Sequence, residues 1–372
     1  MKKVLLFVFC CFLLVSCHDN KKTITTFHET INSKALAKQT VNELVESISY
    51  LPLDTCEKGL VSGIDKIRIE GNEIYVGDFH TSKIVVYHQS GKHLYTIDNK
   101  GQGPQEYTGI KSFAVDSKYI YIIDNWTSKL IVYNRMDGTF VKQMKMKFVA
   151  WDIETLSNGD LIFAFAPING GELSKQQPPY RLIVTDTMLQ VKHTILEYSD
   201  KESDVLGQRI YFSRDADDIL YGSYSFDGFS IINPDSLPKL HYVQLELDNS
   251  LTKQSSVHLH EISEYEYLTE VPFKCGNNIY LSMNNNKRIR KGIYNHHTKQ
   301  IYFNSKTDGN NALIPIVGSE KEYLIGYLND YDDYKKMVNV GFKKGEDIVE
   351  NTLSKHGFVL VLYKLNPKPS MN

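Results

Sequence analysis

Residues 64–87 and 110–133 are one segment written twice, 46 residues apart and without a gap. Ile74-Tyr75, Asp78, Thr81-Ser82-Lys83 and Tyr87 of the first copy fall on Ile120-Tyr121, Asp124, Thr127-Ser128-Lys129 and Tyr133 of the second. Each copy reads as short β-branched and aromatic runs separated by Gly, Asn and Asp, the pattern of strands and tight turns. A four-stranded unit recurring every ~40–50 residues is a β-propeller blade, which cannot bury its faces alone and must stack radially. The fold class is therefore all-β.

Extending the pattern predicts four more, increasingly divergent blades, the last with three strands near 313–317, 323–327 and 358–364. One strand is missing at that end, and Ile48–Leu53 is left over at the other. The expectation is a six-bladed propeller closed by an N-terminal strand in the last blade, which removes both open edges. Pro52 suits an outermost strand, where one side of the ladder needs no donor. Strand direction puts the second-to-third loop of each blade and the connection to the next blade on one face. All the long segments fall there, and residues 330–352 are expected to carry a helix, with Tyr331, Tyr334, Met337 and Val338 at helical spacing.

Met1-Lys2-Lys3, an apolar run from Val4 to Val15 and the junction Ser16-Cys17 make an export leader, too short to span a bilayer. Leu14-Val15-Ser16-Cys17 resembles a bacterial lipobox, which makes Cys17 the expected lipidation site and the anchor to the membrane. Residues 1–16 are then a lipoprotein signal peptide, 17–45 a tether, 46–366 the propeller and 367–372 a tail. His18 after the cysteine points to the outer membrane, facing the periplasm or the surface. Losing Lys2 and Lys3 leaves 40 basic residues against 44 acidic ones, with no basic tract, which argues against nucleic acid as a partner. Of five cysteines only Cys56 and Cys275 remain in the folded part, and they are expected unpaired.

Gly101-Gln-Gly103-Pro104-Gln-Glu106-Tyr107, together with Leu51-Pro-Leu-Asp54 and Val359-Leu-Val-Leu-Tyr363, is similar to the six-bladed β-propeller lipoproteins of Bacteroidota, NHL-repeat-like proteins. The likeness runs from about 44 to 365 and implies fold and envelope location. It brings no agreed activity and no catalytic residue.

The glycine loop itself has no following helix and no Lys-Ser/Thr pair to cradle a phosphate; it reads as a turn between blades, anchored by Glu106 and Tyr107. Asp78 and Asp124 open equivalent loops and are expected to cap backbone N–H groups rather than catalyse. His80 and Trp126 differ between these otherwise matching loops and so are free to contact a ligand. With Arg209 and Tyr224 they are the candidate ligand-binding residues. His258-x-His260-Glu261 lacks a third ligand at motif spacing, His296-His297 reads as an exposed turn, and Asp215-Ala-Asp217-Asp218 lacks the glycine and distal glutamate of a calcium loop. No catalytic residue, metal or cofactor is assigned. The expected function is a lipid-anchored, non-enzymatic binding module for a glycan, peptide or envelope protein. The alternative is a periplasmic propeller hydrolase or lyase with an axial metal site, whose ligands would come from different blades and have no linear spacing.

Overall fold

The structure, a computed structural model, describes residues 26–38, 40–166, 179–198, 208–237, 239–254, 261–285, 287–304 and 313–366. Cys17, the leader, His258 and His260 lie outside them. Two strands precede the repeats, β1 (Thr26–Asn32) and β2 (Val45–Pro52). Blade 1 is β3 (Lys66–Glu70), β4 (Glu73–Asp78), β5 (Lys83–His88) and β6 (His93–Ile97). Blade 2 is β7 (Ser112–Val115), β8 (Tyr119–Asp124), β9 (Lys129–Asn134) and β10 (Phe140–Lys145). Blade 3 is β11 (Asp152–Thr155), β12 (Leu161–Ala164), β13 (Tyr180–Thr185) and β14 (Val191–Glu197). Blade 4 is β15 (Phe212–Asp215), β16 (Asp218–Gly222), β17 (Gly228–Ile232) and β18 (Leu240–Glu246). In blade 5 the innermost strand is split at Pro272 into β19 (Tyr267–Leu268) and β20 (Phe273–Cys275), both paired with β21 (Asn278–Asn285) and followed by β22 (Arg288–Asn295) and β23 (Gln300–Phe303). Blade 6 is β24 (Ile316–Glu320), β25 (Tyr323–Leu328) and β26 (Val359–Leu365), with β2 outermost.

Six sheets therefore make the ring. The repeat is exact at the level of pairing: Lys66 faces Gly77 and Asp78 faces Lys83 in blade 1, as Ser112 faces Ile123 and Asp124 faces Lys129 in blade 2. Ser82 and Ser128 both turn their loops with φ in the left-handed region, +59° and +52°. Alternate strand residues bury between neighbouring sheets. Between blades 1 and 2, for example, Tyr75, Ile84 and Val86 pack on Phe113, Val115, Ile120 and Ile122. Each such side chain contributes about 1.5–3 kcal/mol on burial. Most of the largest fully buried side chains are tyrosines on strands.

β2 runs antiparallel to β26, with Ile48 opposite Tyr363 and Pro52 opposite Val359. A segment from near the N-terminus thus pairs with the last strand of the chain. The β25–β26 connection carries α1 (Tyr331–Asn339) and α2 (Asp347–Ser354). Asp330 caps α1 by accepting from the Asp333 N–H at 2.7 Å. This connection packs on the closing strand: Tyr334 of α1 and Phe342 between the helices lie edge-on to Tyr50 of β2, with centroids 6.3 and 6.4 Å away. Val349 and Leu353 are buried in the same cluster.

The segment expected as a tether differs from that reading over its later half. β1 adds in parallel to the outer edge of β18, Thr26 opposite Leu240 through Asn32 opposite Glu246, and Ile31 is buried among Leu245, Leu281 and Ile301. Leu36 then bridges to Ile301 of blade 5, and a 3-10 turn at Val41–Glu43 leads into β2. An outermost strand leaves a row of unpaired N–H and C=O groups, and this strap satisfies that of blade 4. His296 is likewise not a free turn residue. Its Nδ1 lies 3.4 Å from Glu29 of the strap, which also meets Lys299 at 2.8 Å and His241 at 3.2 Å.

Candidate functional site

The axis of the ring is filled with charge. In β3, apolar residues alternate with Lys66, Arg68 and Glu70, and alternation along a strand sends the charged set to one face. Lys66 Nζ donates to Asp152 Oδ1 (2.9 Å) and to the Ile153 carbonyl (3.0 Å), and lies 3.3 Å from both Ser112 Oγ and Glu154 Oε1. The other Asp152 oxygen accepts from the Tyr211 and Phe212 N–H groups at 2.7 and 2.8 Å. Residues of blades 1 to 4 are thereby tied together. One layer below, Glu154 sits 3.8 Å from Arg68 and 3.9 Å from Arg214. Burial works against ionisation of Glu154, but Lys66, Arg68 and Arg214 outweigh it and hold the carboxyl below its usual range. The remaining space here is about 20 Å³, lined by Lys66, Arg68, Glu154, Phe212 and Arg214 among others.

Above this plug, on the face that carries the second-to-third loops, the residues that precede the innermost strands form the rim, or mouth, of the axis. Asp65, Lys111 and Trp151 occupy the same position before the innermost strands of blades 1, 2 and 3, each donating its N–H to the second strand. Lys111 Nζ lies over the Trp151 ring, 4.1 Å from its centroid. Arg209 pairs with Asp65, whose other oxygen accepts from the Phe79 N–H at 2.6 Å. The Arg209 side chain is still 68% exposed. Trp151 Nε1 and Asn125 Oδ1 are buried without a hydrogen-bond partner.

A second feature lies further out on that face. An open cleft of about 570 Å³ is lined by Gly101, Gln102, Glu106, Thr108, Trp126, Thr127 and Lys129. Its walls are fixed by the repeat chemistry. Asp124 accepts from the N–H and hydroxyl of Thr108 at 2.8 and 2.9 Å and from the hydroxyl of Thr127 at 2.7 Å. Asp78 does the equivalent work for Ser62 and Thr81 in blade 1, and those hydrogen bonds outweigh burial to keep its carboxyl below the usual range. In the glycine loop, Glu106 accepts from the Gly103 N–H at 2.7 Å. A Cβ on Gly101 would meet the same carboxylate, so a larger residue there would have to displace the Glu106 side chain. Tyr107 is fully buried and its hydroxyl donates to the carbonyls of Ser82 (2.8 Å) and Ile97 (3.1 Å).

Trp126 is 87% exposed at this cleft, its indole edge close beside Gly109, which also borders Ser82 of the blade 1 loop. His80 is exposed on that neighbouring loop, so these two candidates share a region. Arg209 belongs instead to the axial mouth. Tyr224 is half-buried, its hydroxyl donating to the Thr269 carbonyl at 2.8 Å and its ring edge-on to Tyr267. It brackets blades 4 and 5. Lys111, Trp151 and the plug residues were missed, although the alternation of charge and apolar residues across Asp65–Glu70 was a legible signal for the axis. Asp215 and Asp218 are held by Lys274 at 3.5 and 2.7 Å. Cys56 and Cys275 are unpaired; burial above all, with the Asp215 and Glu322 charges, pushes the Cys275 thiol up to about 12. Among the described residues no three His, Cys, Asp or Glu side chains gather as metal ligands.

Fold and face define a six-bladed β-propeller with a plugged axis and a shallow, loop-built upper surface. Over residues 23–364 the sequence matches the family described as "Domain of unknown function (DUF4934)", and the chain belongs to that family. It is similar to the crystal structure of a protein of Bacteroides fragilis NCTC 9343 described as a "putative exported protein", with a TM-score of 0.74, 20% identity, and 92% of this chain and 100% of that one covered. A member of the DUF4221 family from Bacteroides vulgatus ATCC 8482 is also similar, with a TM-score of 0.52, 13% identity, and 88% and 98% covered. No curated protein matches the sequence.

Proposed function

We propose that the protein is a non-enzymatic binding module of the cell envelope that holds a glycan on its loop-bearing face. The observation that carries this is Trp126: a large aromatic ring left 87% exposed beside a cleft whose Thr108 and Thr127 walls are pinned by the buried Asp124. Indole offers a flat apolar surface for the C–H face of a pyranose, and the Gln102 amide and Lys129 ammonium beside it suit sugar hydroxyls. The cleft falls in the ~300–1,000 Å³ range of small-ligand sites. Gln102, Glu106, Thr108, Thr127 and Lys129 give it polar groups beside the one aromatic ring, which suits a saccharide better than an apolar peptide anchor.

The plugged axis gives no support to the hydrolase or lyase reading. A cation-dependent site there would draw on Asp152 and Glu154, and both already hold Lys66, with Arg68 and Arg214 close to Glu154. The leader reading and the likeness to a structure described as exported support an envelope address. Among the described residues no helix is long and apolar enough to cross a membrane, and anchoring is assigned to lipid on Cys17, with a Cys17→Ala chain expected in the soluble fraction.

The chain has two tryptophans, and the other is Trp151. In a Trp151→Phe background, emission reports Trp126 alone. Titration with oligosaccharides should shift that emission saturably, and Trp126→Ala should weaken binding at least tenfold by calorimetry without lowering the melting temperature. A glycan that binds with unchanged affinity after Trp126→Ala, Gln102→Ala and Lys129→Ala would refute the cleft as its site.

A further inference from the structure

Lys111 stands apart from every other cation around the axis. Lys66, Arg68, Arg209 and Arg214 each have a carboxylate within ion-pair distance, whereas among the described residues none comes that close to Lys111. Its ammonium rests on the Trp151 face instead. The carboxylate whose charge acts on Lys111 is Asp152, and both of its oxygens are engaged by Lys66, Ser112 and two backbone N–H groups. Arg209 spends one prong of its guanidinium on Asp65 and keeps the rest in solvent. Two cations thus border the upper end of the axis, and among the described residues Asp65 is the carboxylate that pairs with either of them.

We propose that this mouth is a second binding site, taking an oxyanion (carboxylate or sulfate) carried by an acidic saccharide, between Lys111 and Arg209. The kind of ligand rests on the glycan reading above, but the site does not use Trp126. The two places are joined by the short ridge from Thr108 to Lys111, which is cleft wall at one end and mouth at the other. Three residues of extended chain span about 10 Å, so one oligosaccharide can lie across both, a neutral ring at Trp126 and its anionic group at the axis. Burial holds the Lys111 amine below its ordinary range, with Asp152 opposing that and Arg209 adding to it. A bound oxyanion would relieve both the desolvation and the repulsion. Arginine and lysine as paired donors are suited to such groups, the guanidinium through its free fork.

The test uses the mature chain with Trp126→Phe, so that emission reports Trp151 directly beneath Lys111. Trigalacturonate, a sulfated galactotriose and neutral galactotriose are titrated in turn at low and at high salt. At least one anionic trisaccharide should change Trp151 emission saturably and bind at least tenfold more tightly than the neutral one, with affinity falling as salt rises. A preference for the first assigns the carboxylate and for the second the sulfate ester. Lys111→Met and, separately, Arg209→Gln should each reduce that preference at least fivefold, and Lys111→Arg should keep most of it. If neutral and anionic sugars bind alike, or if Lys111→Met and Arg209→Gln chains that melt normally keep the preference, the site is overturned. In that event the Trp126 cleft can still bind, because its signal is read in the complementary Trp151→Phe chain.

Discussion

Lys66 and Asp152 meet at 2.9 Å although they stand 86 residues apart on the innermost strands of blades that are not neighbours. The pair spans the ring, and almost nothing of either side chain reaches solvent. Such a pair is costly to desolvate, and breaking it by removing one partner leaves an uncompensated buried charge. Lys66→Met should therefore destabilise the protein by about 3–5 kcal/mol, read from urea unfolding. A loss below about 1 kcal/mol would mean that the blades hold together without the axial ion network.

Tyr107 closes the glycine loop through one hydroxyl and two buried carbonyls, of Ser82 and Ile97. Tyr107→Phe keeps the ring but strands both acceptors, at an expected cost of about 1–3 kcal/mol. The same change should weaken oligosaccharide binding at Trp126, since Gly101, Glu106 and Thr108 line that cleft. Thermal melts and Trp126 emission on one sample would check both, and an unchanged melting temperature would contradict the anchoring role.

The two leading strands should respond differently to truncation. A chain starting at residue 40 keeps β2 on β26 and is expected to stay monomeric and cooperatively folded, with a modest drop in melting temperature. A chain starting at residue 53 bares the whole outer edge of β26, and an unprotected edge pairs with other chains. It should aggregate, as seen by size-exclusion chromatography. A monomeric, cooperatively melting product would show that the ring closes without its N-terminal strand.

Acid should release the strap before it unfolds the blades. Burial works against ionisation of Glu29, but the hydrogen bond and charge of Lys299 with the charge of His296 outweigh it, so its carboxyl lies below the usual range. A carboxylate lowered on folding contributes stability above its unfolded pKa of ~4.3 and loses it as pH falls through the folded value. His296 is held low chiefly by burial, with Lys299, His241 and Lys274 adding repulsion and Glu29 opposing. An imidazole kept neutral in this way costs stability once pH drops below its unfolded value of ~6.5. Both groups act in the same direction. Hydrogen exchange corrected for intrinsic rates should show β1 amides losing protection from about pH 6.5 downward while β8 and β9 stay protected. Glu29→Gln should remove the part of the loss below about pH 4.5, and pH-independent protection of β1 would contradict the clamp.

The six-blade count, the strand of closure, the turn role of Asp78 and Asp124, the anchoring by Glu106 and Tyr107 and the exposure of Trp126 were all legible in the chain. They depend on local order: hairpin-linked strands, turn residues at fixed offsets, and a 46-residue repeat that shows by comparison which positions vary. Pro52 and the surplus Ile48–Leu53 run gave the long-range pairing because a ring has only one place for an unmatched strand. β1 was not legible, since a polar segment with no period gains its partner only when the outer edge of blade 4 exists to receive it. The bridge from Tyr224 to blade 5 was not legible either, because nothing near it in sequence announces the Thr269 carbonyl that its hydroxyl finds there.

By itself the sequence determined the repeating sheet and the rigid turns, because those interactions join residues a few positions apart and recur with the period of the unit. Tertiary structure alone decided what occupies the axis and what borders its mouth. Lys66 with Asp152, Arg209 with Asp65 and Lys111 over Trp151 are contributed by separate blades, 86, 144 and 40 residues apart. Radial stacking converges these residues at the centre, where the low dielectric makes each unpaired charge consequential, and no linear spacing encodes that convergence.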